Sequence, residues 1–130
     1  MATVIFHVCP WAVWRAARAE GVYRGGPLDL KDGFIHFSTP ETLTGTLATH
    51  LAGQAGLCLL EVEAAALGDR LVWEESRGGI AFPHLYAALD PARVRAVHDL
   101  PLGPDGAHVL PAHARAESGA SAAGRGTGAG

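Results

Sequence analysis

The chain has 130 residues, 48% of them hydrophobic, and a net charge of −3, which together predict one compact domain. Lys31 is the only lysine and the arginines are scattered, so neither DNA nor RNA is an expected partner. Cys9 and Cys58 occur without a Cys-x-x-Cys pair, which argues against a disulfide framework or a thiolate zinc site.

Apolar runs along the chain are short. A run such as Leu57–Leu60 has far too few residues to span a bilayer. The N-terminal residues lack the basic segment and long apolar stretch of a signal peptide. We therefore expect a cytoplasmic protein that does not contact membranes.

The first part of the chain predicts a strand, a helix and a second strand. Val4–Val8 is rich in β-branched and aromatic residues, which is typical of a strand. A helix is expected over Trp11–Glu20, ending at Gly21, because glycine readily adopts the left-handed conformation that closes helices. Phe34–Phe37 predicts the second strand.

A second helix should follow at once. Ser38 offers a hydroxyl cap, Pro40 suits the first turn and Glu41 lies three residues after the cap, so the helix is expected to run as far as Gly53. The rest of the chain predicts mainly strands. These are Leu57–Glu63, Leu71–Trp73, an extended segment Ile80–Leu89, and Arg93–Leu100.

The order of elements predicts an α+β fold. No Gly-x-Gly-x-x-Gly follows the first strand, which argues against a dinucleotide-binding Rossmann fold. From Pro111 onward no side chain is both apolar and larger than alanine, so this segment cannot offset its ordering entropy. We predict a single α+β domain over residues 1–110 and a disordered tail rich in Gly, Ala, Ser and Arg over residues 111–130.

Three histidines occupy strand-like segments among apolar neighbours: His7, His36 and His84. A histidine inside a strand is costly to bury unless it is hydrogen-bonded or used in chemistry. Three such histidines in a small domain predict a site, and we assign them as its catalytic residues. They are expected to line one cleft.

Residues near these histidines supply the other groups of the predicted site. A two-residue spacing should place His36 and Ser38 on one face of their strand, although Ser38 is also a strong helix cap. Arg77 could clamp a phosphate or carboxylate, and Glu74 could orient His84 or act as a base. The predicted substrate-binding residues are Phe34, Ser38, Glu74, Arg77 and Tyr86.

The remaining histidines are expected to be structural or peripheral. They are His50, His98, His108 and His113. Glu61 and Glu63 are expected at an exposed strand end, not in a catalytic pair.

Three phrases, Asp32–Ser38, Trp73–Gly79 and Phe82–Tyr86, resemble the bacterial domain-of-unknown-function family 952. Its members look like a strand with a histidine, a Trp-bearing helix, Asp-Gly-Phe-Ile-His-x-Ser, a Trp-Glu…Arg-Gly-Gly segment and Phe-Pro-His-Leu-Tyr. The resemblance extends over about Val4–Leu100. Ala87 departs from the glycine that is common there, which leaves the candidate site residues in place.

The layout is also similar to the ADP-ribosyltransferase fold, in which strand, helix, strand and helix precede mainly antiparallel strands around a central cleft. This resemblance implies NAD as a substrate, with His7 on the NAD ribose and the Gly33–Ser38 strand against nicotinamide. His84 or Tyr86 would take the third position, where glutamate is frequent. A histidine there resembles the RNA 2'-phosphotransferase branch or a branch acting on free nucleotides, and the weakly basic composition favours a small nucleotide.

Three functions remain open from the sequence. The first is an NAD- or nucleotide-binding enzyme of the ADP-ribosyltransferase type. The second is a small-molecule-binding module without turnover. The third is a metal-dependent hydrolase with zinc on His7, His36 and His84. Because these histidines are far apart in sequence, no metal is expected, and the sequence does not decide the oligomeric state.

Overall fold

The computed structural model describes residues 3–75 and 77–114, without the side chain of Arg77. Strands and helices are mixed along the chain. In chain order they are β1 Val4–Pro10, α1 Trp11–Glu20, α2 Pro27–Asp32, β2 Ile35–His36, α3 Pro40–His50, β3 Leu57–Glu63, β4 Leu71–Glu75, β5 Ala81–Leu85 and β6 Val94–Leu100. Short 3-10 turns are Ala64–Arg70, Arg77–Gly79, Pro91–Arg93 and Ala112–Ala114.

Two antiparallel sheets of three strands each form the framework. The first sheet has the order β1-β3-β6 and the second has the order β2-β5-β4. The predicted α+β class is confirmed. Within residues 3–75 and 77–114, the helices are too short or too polar to span a membrane.

Alternation along the first sheet gives it two buried faces. Ile5 and Leu60 face a core that also contains Trp14 of α1 and Leu85 of the second sheet. The facing thiols of Cys9 and Cys58 belong to the same core. The first sheet is therefore packed between the second sheet and α1 on one side and α3 on the other.

The opposite face of the first sheet packs against α3 and the C-terminal segment. Phe6 and Leu59 contact a core built by Leu43 of α3 and by Leu110 and Ala114. The first residues of the predicted tail form the 3-10 turn Ala112–Ala114, and the small side chain of Ala114 is fully buried in this core. The rest of the predicted tail, residues 115–130, lies outside the described residues.

Local sequence signals predicted the bounds of some helices and strands correctly. Helix α1 ends where expected, at Gly21, whose φ of 88° is left-handed and whose N–H donates to Ala17. Strand β3 also has the predicted bounds. Helix α3, however, is capped by Thr39 and ends at His50, so the expected Ser38 cap and Gly53 end are wrong.

Helix α2 is the element that the sequence pattern did not reveal. It has six residues, too few for an apolar periodicity to show. Pro27 occupies its first turn, and the carboxylate of Asp29 accepts a hydrogen bond of 2.7 Å from the Gly26 N–H. This acidic first turn brings Asp29 next to β2, where the candidate site lies.

Candidate functional site

The outer face of the second sheet carries the main group of predicted site residues. His36 of β2 lies directly opposite His84 of β5, and their ring centroids are 5.6 Å apart. Both side chains point away from the core because their neighbours Ile35 and Leu85 point into it. We call Phe34, His36, Glu74, His84 and Tyr86 the histidine face.

Glu74 holds the His84 ring in a fixed orientation. Its Oε1 lies 2.6 Å from His84 Nδ1 and accepts a 2.7 Å hydrogen bond from the Tyr86 hydroxyl. These two hydrogen bonds lower the pKa of Glu74, and the same carboxylate raises the pKa of Tyr86. Within the described part of the chain, His84 Nε2 has no hydrogen-bond partner.

His36 is bound by carboxylates on both ring nitrogens. Nδ1 lies 2.6 Å from Asp29 Oδ1, and Nε2 lies 3.0 Å from Asp32 Oδ2. The hydrogen bond to Asp29 is the main cause of a raised pKa for His36. Burial works to raise the pKa of Asp29, but hydrogen bonds from the ring and backbone of His36 and from the Gly26 N–H bring it below its usual value. His36 and Asp29 are therefore a partly buried ion pair.

His7 lies beneath this pair and is only 4% exposed. Its Nδ1 donates to the backbone carbonyl of His36 at 2.6 Å, which leaves Nε2 to accept from the Tyr23 hydroxyl at 2.5 Å. Burial lowers the pKa of His7, so the neutral ring is favoured. His7 positions the His36 backbone from below and does not share the surface of His36 and His84.

Phe34 packs between the aromatic rings of the histidine face. It stacks on His84 with a centroid distance of 4.1 Å and lies 4.5 Å from His36 and 5.2 Å from Tyr86. A cavity of about 340 Å³ adjoins this cluster and is lined by Phe34, Tyr86, Asp29 and Arg24 among others. The two histidine rings do not line it, so a ligand in the cavity would reach them past Phe34.

Ser38 is buried away from the histidine face. Its backbone pairs with Phe6 of β1, and its hydroxyl donates to Thr46 Oγ1 at 3.2 Å. The two-residue spacing from His36 failed as a guide because the chain leaves the second sheet after β2 and joins the first. Arg77 begins a 3-10 turn, and its side chain lies outside what the structure describes.

The sequence analysis missed three residues that hold the histidines. They are Tyr23, Asp29 and Asp32. Pro27 with an acidic residue two positions later is a signal of a helix start, and it could have identified Asp29. Nothing local marks Tyr23, whose place depends on a backbone pairing with Leu89.

The three-histidine metal centre, one of the alternatives that the sequence left open, is not assembled by the described residues. Both ring nitrogens of His7 are occupied by Tyr23 and by the His36 carbonyl. Among the described residues, the potential metal ligands that converge are Glu61, His98 and His113, and not His7, His36 or His84.

Comparisons with known proteins agree with the fold. A search of curated proteins found no match. The X-ray crystal structure of protein CC0527 from Caulobacter crescentus is 46% identical, with a TM-score of 0.82 over 86% of this chain and 98% of that chain. The crystal structure of a double mutant of that protein gives the same values. The solution NMR structure of CC0527 is 47% identical, with a TM-score of 0.73 over 80% of this chain and 90% of that chain.

The profile of the family described as "protein of unknown function (DUF952)" matches residues 8–97. The match spans most of the chain and includes the whole histidine face. The chain therefore belongs to the DUF952 family.

Proposed function

We propose that the protein binds a small molecule with a planar ring, of the NAD or nucleotide type, at the histidine face, and that His84 is its general acid–base residue. One observation carries the proposal. Glu74 fixes Nδ1 of His84, while Nε2 has no partner among the described residues. A carboxylate–imidazole pair with one free nitrogen is the arrangement that serves proton transfer in many enzymes.

The NAD chemistry implied by the similarity to the ADP-ribosyltransferase fold needs one such base. In transfer from NAD, the bond between ribose and nicotinamide breaks, and a bond forms between the same ribose carbon and an acceptor oxygen or nitrogen. The acceptor loses a proton, which His84 Nε2 would take. Glu74 would stabilise the imidazolium that results.

The surroundings of His84 suit a flat, phosphate-bearing ligand. Phe34 and Tyr86 border the adjoining cavity and offer aromatic surfaces for stacking. Arg24 borders the same cavity, and its exposed ion pair with Glu20 is the kind that is worth little and exchanges readily. A ligand phosphate could therefore replace Glu20 as its partner.

His36 and His7 act as positioning residues in this proposal. His36 lies against Phe34 and is held by Asp29, while His7 holds the backbone of β2. His7 was expected to contact the ribose, but its burial assigns it a supporting role in the proposal.

A binding module without turnover is the second candidate. Both ring nitrogens of His36 are occupied by carboxylates, and Phe34 covers one side of the His84 ring. With one histidine occupied and the other partly covered among the described residues, the face could recognise a ligand without transforming it.

Calorimetric titration with NAD, ADP-ribose and nicotinamide tests the proposal, together with an assay for nicotinamide release from NAD. Phe34→Ala should weaken binding about 10-fold through lost stacking. His84→Asn keeps a side-chain nitrogen for Glu74 but removes Nε2, so it should bind normally and release no nicotinamide. His50→Gln, an exposed histidine on α3, is the matched control.

The outcomes separate the candidates. Binding with release that His84→Asn abolishes supports the enzyme. Binding without release by the wild type supports the module. If none of the three ligands produces heat, the nucleotide proposal is wrong.

A further inference from the structure

A second cluster of potential ligands lies on the other side of the first sheet, on the face that carries Phe6. Glu61 of β3, His98 of β6 and His113 of the C-terminal turn place one ligand atom each within 4.8 Å of one another. We propose that these three side chains bind one divalent transition-metal ion of the zinc class. This proposal is independent of the histidine face.

The donor atoms converge on a single carboxylate oxygen. Glu61 Oε1 lies 3.0 Å from His98 Nε2 and 2.7 Å from His113 Nε2. Ligands of a tetrahedral zinc ion with bonds of roughly 2.0 to 2.1 Å lie about 3.3 Å from one another. The contact of Oε1 with His98 would therefore have to lengthen by about 0.3 Å and the contact with His113 by about 0.6 Å to admit an ion, which are small movements for side chains.

The donor set has the composition of known zinc sites. Two imidazoles and one carboxylate leave a fourth position for water, as in open zinc centres. Imidazole nitrogen favours zinc and similar transition ions over magnesium or calcium, which prefer oxygen ligands. The sequence analysis did not consider these three residues together: it placed Glu61 at an exposed strand end, whereas the structure buries it, and it treated His98 and His113 as structural or peripheral.

The surrounding charges favour a cation. The Glu61 side chain is only 4% exposed, and Arg95 Nε binds its Oε2 at 2.8 Å, which leaves Oε1 directed at the histidines. Arg95 also contacts Glu63 at 3.3 Å. With neutral imidazoles, the two carboxylates and one guanidinium carry a net charge of −1.

A β-bulge explains how Arg95 reaches this face. Val62 pairs with Val94 and Glu61 with Ala96, so Arg95 is the extra residue of β6. The bulge directs Arg95 toward the same carboxylate as His98. Arg95 therefore orients the proposed ligand from behind.

The ion would connect the C-terminal segment to the sheet. His113 is half exposed, but the next residue, Ala114, is fully buried and its N–H donates to the Pro111 carbonyl. The turn is thus already seated beside Glu61. A metal bond through His113 would hold residues 111–114 against β3 and β6.

Titration of the full-length, chelator-treated protein with Zn²⁺ tests this site, with Co²⁺ as a spectroscopic probe. We expect one ion per chain, tetrahedral Co²⁺ absorption, and slower hydrogen exchange of the Ala114 amide when Zn²⁺ is present. His98→Gln and His113→Gln should each weaken Zn²⁺ binding at least about 10-fold. Each glutamine keeps an amide that can donate to Glu61, so both variants should retain the metal-free melting temperature.

The controls are His108→Gln, a partly buried histidine outside the cluster, and His36→Asn on the histidine face. Both should bind Zn²⁺ like the wild type. The proposal is overturned if Zn²⁺ does not bind, if His98→Gln and His113→Gln bind it unchanged, or if His36→Asn abolishes binding. In the first case the histidines only hydrogen-bond a buried carboxylate.

Discussion

Two buried carboxylates, Asp29 and Glu61, each gather histidines, but they are held in different ways. Asp29 accepts hydrogen bonds from the backbone N–H groups of Gly26 and His36. The Glu61 carboxylate, within the described residues, is contacted by the side chains of Arg95, His98 and His113.

This difference separates a structural organiser from a candidate ligand. Backbone donors cannot turn to solvent unless the chain locally unfolds, so Asp29 is bound permanently. Side-chain donors can swing into water, as the half-exposed Arg95 and His113 show. Glu61 can therefore exchange its partners for an ion, whereas Asp29 serves to hold β2 and the histidine face.

The largest effect is expected from Asp29→Ala. It would leave the Gly26 and His36 N–H groups unpaired and the His36 imidazolium without its closest partner, at a cost of about 3 kcal/mol or more. Urea unfolding measures this cost. Asp32→Ala, at the exposed end of the same cluster, should cost less than about 1 kcal/mol. Equal losses would mean that the backbone contacts of Asp29 are not decisive.

Gly25→Ala is expected to disturb the same carboxylate from outside. Gly25 has a φ of 108°, and an added Cβ would lie 2.5 Å from Asp29 Cβ, so we expect a loss of about 2 kcal/mol. Gly45→Ala on α3 has open space and is the control. It should raise stability by up to about 1 kcal/mol, because alanine favours the helix. Thermal or urea unfolding of both variants measures the difference in stability. An unchanged stability of Gly25→Ala would contradict the prediction.

The ion pair of His36 and Asp29 predicts a pH dependence. The pKa of His36 is raised above 6.5, so its stabilisation is complete below pH 6.5 and is lost as the pH rises through the folded-state value. His36→Asn keeps a donor for Asp29 but does not titrate. The free energy of unfolding measured in urea should be about 1 kcal/mol larger for the wild type than for the variant at pH 6, and this difference should narrow toward pH 8.

The variant comparison isolates His36 from His7. The pKa of His7 is lowered, so its contribution is present above pH 6.5 and decreases as the pH falls. Burial is the main cause of the lowered pKa of His7 and is common to both proteins, so most of that contribution cancels in the difference. A gap that stays constant from pH 6 to pH 8 would contradict the ion pair.

The smallest effect is expected from Glu61→Leu in metal-free protein. An apolar side chain of similar size suits the buried site, and the released side chains can reach solvent, so stability should change by less than about 1 kcal/mol. Thermal unfolding after chelation measures it. A loss as large as that of Asp29→Ala would remove the distinction between the two carboxylates.

The histidine face could be predicted largely from the sequence, because apolar residues around His36 and His84 indicate the strands β2 and β5. Phe34, His36, His84 and Tyr86 come from these two strand-like segments and Glu74 from the charged segment after Trp73, and all five lie together. Ser38 was wrongly grouped with them, because no local sequence pattern shows that the chain moves from the second sheet to the first after β2.

The α+β class, the family, the bounds of α1 and β3 and the strands that bear the histidines can all be predicted from the sequence, because they depend on local periodicity, caps and short motifs. The burial of His7, the position of Asp29 and the contact of Glu61 with His98 and His113 depend instead on how distant segments pack. Residues that contact across 37 or 52 positions do so through sheet register and a packed terminal turn, which no local pattern encodes.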